Sequence, residues 1–511
     1  MPESRDSLLA DCRQLMATGK WNEARSRLEH ALAAAPTDIL IAYTLATAYR
    51  LSGAADRAAP LFGTLHKAVP DMPEAAVGLA LSLAELNRVE HAERILRHFL
   101  VRHPDLAAPY TTLGDIRLKS GAFVRLPKYF AAAAAIAPSA STHGNLAEAL
   151  SQTRAFDSAE RHYRLALETA PDSARLRMNY AVHLLGQKKL KAGWEYFEAR
   201  LDPALPDAPV RNLQLPRWDG TAPGNRHLLV VSEQGLGDEI RFAAMLPILT
   251  ERVRALTVEC DARLVPLYQR SMPRVRFHPF SRIKRSGRGH YSYNWLPRED
   301  GPDSYIEIGS LPLMLRRGLV MPENEGGFLI PPASSQKRIG RDLQAAAEGR
   351  SLVGLSWTSG AQKFGRATNY PPLKSWRRLL DLPDAYIVSL QYGATTEMIK
   401  ELEAATGRKI LQLEGLDLRN DLDSLAALIA SLDLVLSVGN ATAALSGAVG
   451  TRTLELLTAP GWVPLLEEQD YFLGATRRIF QSQLGDWTYP VERARALALT
   501  HLEKRRPSTF L

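Results

Sequence analysis

Asp238 is the first residue placed to do chemistry. It lies in residues 227–247, HLLVVSEQGLGDEIRFAAMLP, where the apolar run Leu228, Leu229, Val230 and Val231 breaks at Gly235-Leu236-Gly237 before Asp238 and Glu239. The run is short and β-rich enough for a buried parallel strand. The apolar residues from Ile240 to Leu246 suit a helix. A strand, a glycine turn and a helix set Gly235 and Gly237 where backbone can approach a ligand. The free N–H groups of the first helical turn then face an anion or oxyanion. A carboxylate there suits the positive end of the helix dipole. An ordinary βα turn with an acidic first turn has the same sequence pattern.

More candidates stand at the ends of other apolar runs. DLVLSV (433–438) leads into Gly439, Asn440, Ala441 and Thr442 and a helix of small residues ending at Gly450. Backbone N–H groups, the Thr442 hydroxyl and a helix dipole there make a phosphate cradle. SLVGLSW (351–357) ends at Trp357, and the loop beyond supplies Thr358, Ser359 and Lys363, the last able to pair with a diphosphate. YIVSL (386–390) ends in Gln391 and Tyr392, suited to hold a base or ribose. DSYIEIGSLP sets Glu307, Gly309 and Ser310 on the same rim as Asp238, with Glu307 equally suited to a structural cap. Each turn alone also has a purely structural reading. Together they form a set of strand ends facing a glycine turn.

The elements that must position these residues follow from the alternation of strands with helices. It predicts parallel sheets with ligands at the carboxyl ends of the strands. Residues 205–335 read as one Rossmann-like lobe. Residues 336–511 read as a second, with the loop IPPASSQKRIG between them. Residues 1–204 differ in kind. Prolines recur at 36, 70, 104, 138 and 171, spaced 34, 34, 34 and 33 apart. Ala24, Ala58, Ala92, Ala159 and Ala192 keep the same phase, and Gly19, Gly53, Asn87 and Gly121 sit five residues before their phase mates. This pattern resembles the tetratricopeptide repeat, in about six units of two helices each. One helix pair cannot bury its apolar face, so neighbours must stack. Leu126 and Pro127 interrupt the fourth unit, where a kink or repacking is expected. Repeats of this kind imply a protein partner or protein substrate.

Composition narrows the function classes. The 511 residues carry a net charge of +8, and only Cys12 and Cys260 as cysteines, which excludes a disulfide framework and a cysteine metal site. No run approaches the roughly 20 apolar residues of a membrane span, and the start lacks the order of a signal peptide. A cytoplasmic protein is expected. Arg282, Lys284, Arg285 and Arg288 form a basic cluster, read as a solvated loop or as a rim that attracts an anionic substrate. No nucleic-acid module accompanies it.

With SEQGLGDEIRFAAMLP, GSLP, VGLSW, SLQYG, residues 421–450 and QSQLGDW in view, the chain resembles bacterial proteins that join tetratricopeptide repeats to a glycosyltransferase-B-type module. That module is related to the lipopolysaccharide heptosyltransferases (glycosyltransferase family 9). In plan such proteins are similar to protein O-GlcNAc transferases, and some modify flagellin. The resemblance implies an all-α repeat superhelix followed by two Rossmann-like lobes, with residues 205–335 on the acceptor side and residues 336–511 on the nucleotide-sugar side. It implies a metal-independent glycosyltransferase without cofactor, moving sugar from a nucleotide-sugar donor to a protein acceptor. Gly237-Asp238 matches the position of the heptosyltransferase catalytic base, so Asp238 is expected to take the proton of the acceptor hydroxyl. Three departures stand out. Gly439-Asn440 and Ala444 occupy places where related chains often have Asp-Thr and a histidine, and Thr358 replaces a common arginine. A non-catalytic repeat scaffold with a degenerate module, and a transferase acting on a glycan or lipid precursor, are the alternatives.

Overall fold

A computed structural model describes residues 4–505, apart from positions 124, 207, 222–223, 234, 286, 298, 316–325, 360–368, 459–462, 464 and 467. The described residues form two compact units, one ending at Asp172 and one beginning at Ser173.

The first unit is all-helical, from α1 (Arg5–Ala17) to α10 (Phe156–Thr169). Small residues at the repeat phase explain how the helices pack: Ala24, Ala58, Ala92 and Ala159 are completely buried. Gly114 plays a similar part, because a Cβ there would lie 2.6 Å from the Phe130 ring. The turn inside each pair needs one left-handed residue. Gly19, Gly53 and Gly121 supply it with φ of 77°, 88° and 76°, and Asn87 and Arg154 with φ of 60° and 63°. The fourth pair corrects the expected kink. Its second helix, Leu126–Ile136, begins at Leu126 and sets Pro127 in the first turn, where proline needs no N–H partner. The helix is shortened at its start instead of bent.

The second unit opens with another helix pair, α11 (Ala174–Gly186) and α12 (Leu190–Phe197), joined through Lys188 at φ 62°. Ala181, Leu185, Trp194 and Phe197 share one buried cluster with Phe242, Leu246 and Phe472. The compact division therefore falls one helix pair before the expected boundary at residue 204.

Three sheets follow. A four-stranded parallel sheet has the order β4 (Arg276–Pro279), β3 (Ala255–Cys260), β2 (His227–Val231), β7 (Ser304–Glu307). An eight-stranded sheet runs β10 (Ile410–Leu411), β9 (Ala385–Ser389), β8 (Ser351–Ser356), β11 (Leu434–Val438), β12 (Thr453–Leu457), β15 (Thr476–Phe480), β14 (Gln469–Asp470), β13 (Leu465–Leu466). It is parallel as far as β15, with β14 and β13 added antiparallel. A three-stranded sheet has the order β1 (Val210–Arg211), β6 (Arg288–Ser292), β5 (Ser281–Arg285). The basic cluster expected in a loop thus lies on an antiparallel hairpin, β5 against β6.

Chain order reverses across each parallel sheet, between β2 and β7 in the first and between β8 and β11 in the second. Such switch points open a crevice beyond the carboxyl ends of the strands. Asp238 follows β2, and Asn440 follows β11.

Candidate functional site

The helix α13 (Leu236–Ala243) starts directly after Gly235, with Asp238 and Glu239 in its first turn. Its partner is the Ala441–Val449 helix, and the two pack directly at Gly237, where a Cβ would stand in ordinary contact, 3.4 Å from the Ala441 Cα. The two glycine-turn helices, one from each large sheet, therefore meet near their N-terminal ends.

Asp238 faces a cavity of about 360 Å³ lined also by Glu233, Arg200, Arg175, Asn179, Phe197 and Phe242. Burial pushes its carboxyl up to about 6; Arg241 opposes the rise and Glu233 adds to it. An acid in this range is ionised at neutral pH yet basic enough to accept a proton. Gly235, extended at φ −179°, keeps the approach clear, since a Cβ there would come within 3.0 Å of the Asp238 Oδ2. Glu239 has a different role. It is buried, accepts the Asp261 N–H at 2.9 Å, and burial raises it to about 8.

Glu307 and Ser310 stand at the rim but are taken up by neighbouring side chains. Arg217 donates to the Glu307 carboxylate at 2.7 Å. The completely buried Ser310 hydroxyl receives Arg200 at 2.8 Å and Arg217 at 2.9 Å, and donates to Glu198 at 2.7 Å. Arg200 also donates to Glu233 at 2.7 Å, so this network fixes the wall of the cavity beside Asp238.

A second cavity of about 230 Å³ is lined by Tyr392, Ala441 and Thr442 together with Arg263, Leu236, Leu418 and Leu422. It brings together three of the residues expected on the donor side. Thr442 is buried at the cavity wall in the first turn of the Ala441–Val449 helix. Asn440 caps that helix, accepting the Ala443 N–H at 3.0 Å and donating to Ser356 at 2.8 Å and to the Thr358 carbonyl at 3.2 Å. Its amide ties β11 to β8. Gln391 is also used internally: its Oε1 accepts the Trp357 and Thr358 N–H groups, each at 3.0 Å. Trp357 is buried in the core. Ser359 meets the Tyr392 hydroxyl at 3.5 Å. Gly439 is small because a Cβ there would lie 2.6 Å from the Leu457 side chain. Lys363 lies outside the described residues.

The sequence reading did not single out Glu233, Arg200, Arg263 or Arg241. Glu233 and Arg263 follow β2 and β3, so the strand-end rule could have reached both. Arg241 had no local signal. It reaches from α13 to Glu455 at 2.9 Å and Asp470 at 3.2 Å, and Arg478 reaches the same Glu455 at 3.0 Å. All four side chains are at most 7% exposed. This buried cluster joins the four-stranded sheet's helix to β12, β14 and β15. Among the described residues no group of three or more His, Cys, Asp or Glu is arranged to hold a metal ion.

The helix pairs and the α/β sheets together define a helical-repeat protein with a large α/β unit. A tetratricopeptide repeat family model matches residues 142–176. Protein FlbA of Caulobacter vibrioides is 32% identical over 478 residues, covering 92% of this chain and 80% of that protein. The chain belongs to the FlbA family. Among solved structures, the repeats are similar to a thermophilic tetratricopeptide-repeat protein of Thermus thermophilus, at 25% identity and a TM-score of 0.32, over 36% of this chain and all of that one. They are also similar to pilF of Pseudomonas aeruginosa, at 17% identity and a TM-score of 0.33, over 39% of this chain and 93% of that one. No described helix is long and apolar enough to cross a membrane.

Proposed function

We propose that the chain is a glycosyltransferase of the two-lobed glycosyltransferase-B type, moving a sugar from a nucleotide-sugar donor to a protein acceptor, with flagellin the first acceptor to test. The observation that carries this reading is Asp238, raised to about 6 at the wall of a cavity and next in the chain to Gly237, which meets the second glycine-turn helix at Ala441. In the reaction, Asp238 takes the proton of an acceptor hydroxyl. The hydroxyl oxygen forms a bond to the anomeric carbon. The bond from that carbon to the leaving oxygen breaks, and its electron pair departs with the nucleoside diphosphate. The Ala441–Val449 helix terminus, Thr442 and Arg263 would stabilise that charge without a metal ion.

Tetratricopeptide repeats bind polypeptide segments, which favours a protein acceptor over a glycan or lipid precursor. A second reading, a binding protein with a degenerate module, is favoured by one observation: the Gln391 and Asn440 amides are consumed by internal hydrogen bonds. Release of nucleoside diphosphate separates the two. The full chain, incubated with a panel of nucleotide sugars and purified flagellin, is expected to release it, and Asp238→Asn is expected to abolish release. Binding of a nucleotide sugar without release by either protein would favour the second reading.

A further inference from the structure

The β5–β6 hairpin carries more charge than its fold requires. All five residues of β5 are exposed, and β5 is the end strand of its sheet, so one edge has no strand partner among the described residues. Arg282 and Lys284 alternate along it with the exposed Ile283. The register sets Arg285 directly opposite Arg288. Like charges facing each other across a strand pair are destabilising, and among the described residues Arg288 reaches only a carbonyl, that of Ala208 at 3.1 Å. Arg282 is held in place by aromatic rings, 5.0 Å from the Phe280 centroid and 5.9 Å from that of Tyr291. Gly289 leaves room for its stem, since a Cβ there would lie 3.0 Å from the Arg282 Cδ. No ion pair to Arg282, Lys284, Arg285 or Arg288 occurs among the described residues.

We propose that this hairpin is a docking edge for an extended acidic segment of a partner protein, which pairs with β5 as an added strand. The free edge offers backbone N–H and C=O groups in strand register. The alternating cations select carboxylates at every second position of the incoming chain, and Ile283 offers an apolar contact between them. An anion there would also relieve the Arg285–Arg288 repulsion. A phosphate polymer would satisfy the charge but not the strand edge, which favours a peptide. With a net charge of +8 on the whole chain, a second copy is a poor source of the acid.

The test uses the full chain and a short fluorescein-labelled peptide alternating aspartate with valine, read by anisotropy at low and moderate salt. The expected result is binding that weakens with salt and falls roughly tenfold or more in Lys284→Glu/Arg285→Glu. The same peptide N-methylated on alternate amides is expected to lose a similar factor against the wild-type chain, a comparison that needs no variant to fold. Absence of peptide binding would overturn the proposal. So would equal affinity for the N-methylated peptide, or tighter binding of a single-stranded oligonucleotide of equal charge. None of these outcomes bears on sugar transfer.

Discussion

Replacing Arg241 by methionine removes one charge from a sealed group of four. Arg241 donates to both oxygens of Glu455, at 2.9 and 3.0 Å, and to Asp470 at 3.2 Å. Arg478 remains within 3.0 Å of Glu455 and 3.8 Å of Asp470, so the variant leaves two carboxylates to one guanidinium. Breaking a buried pair from one side costs about 3–5 kcal/mol. With a urea slope of about 3 kcal/mol/M, the midpoint should fall by about 1–1.7 M. Tryptophan fluorescence is the assay, because Trp21 is the only tryptophan outside the second unit. Removing the matching charge in Arg241→Met/Glu455→Gln restores one guanidinium to one carboxylate. Its cost should fall short of the summed single costs by about 1–3 kcal/mol. A loss below about 1 kcal/mol for Arg241→Met, or strict additivity of the pair, would refute the cluster as a strut between the sheets.

Three further outcomes follow from single positions. Glu239 is raised from 4.5 to about 8, so between those values the folded chain keeps a proton the unfolded chain has shed, and stability falls as pH rises through that window. Glu239→Gln should therefore stabilise the second unit by up to about 3 kcal/mol at pH 7 and by nothing below about pH 4, measured by urea unfolding at both; an equal pH dependence in both proteins would contradict this. Gln391→Leu strands the Trp357 and Thr358 N–H groups and should cost about 2 kcal/mol in the same assay; an unchanged midpoint would remove Gln391 from its structural role. If Asp238 is the base, transfer should fall about tenfold per pH unit below its value of about 6 and level off above it; a flat profile between pH 5 and 8 would argue against it.

The repeat period and the strand–glycine–helix turns were legible because each rests on local physics. A 34-residue phase of alanines marks tight helix pairs, and apolar runs ending in Gly235 or Gly439 mark strand ends. The left-handed turns at Arg154 and Lys188 were not legible, since neither residue type announces a positive φ. The β5–β6 hairpin was hidden because its outward residues are all polar or charged apart from Ile283, leaving no clean alternation. At the site, residue type suggested ligand contacts for Ser310, Gln391 and Asn440. Their partners, Arg200, the Trp357 backbone and Ser356, lie 110, 34 and 84 residues away, a separation no local pattern records. Arg241 was missed for the same reason, its carboxylates standing more than 200 residues downstream.

The most direct test of the account is the intact mass of flagellin from cells carrying the wild-type chain and from cells carrying Asp238→Asn, with the variant shown to unfold at the wild-type urea midpoint. Sugar transfer with Asp238 as base predicts a sugar-sized mass present with the wild type and lost with the variant. A mass unchanged by Asp238→Asn would contradict the role of Asp238. A mass equally unchanged on deletion of the gene would contradict flagellin as the acceptor.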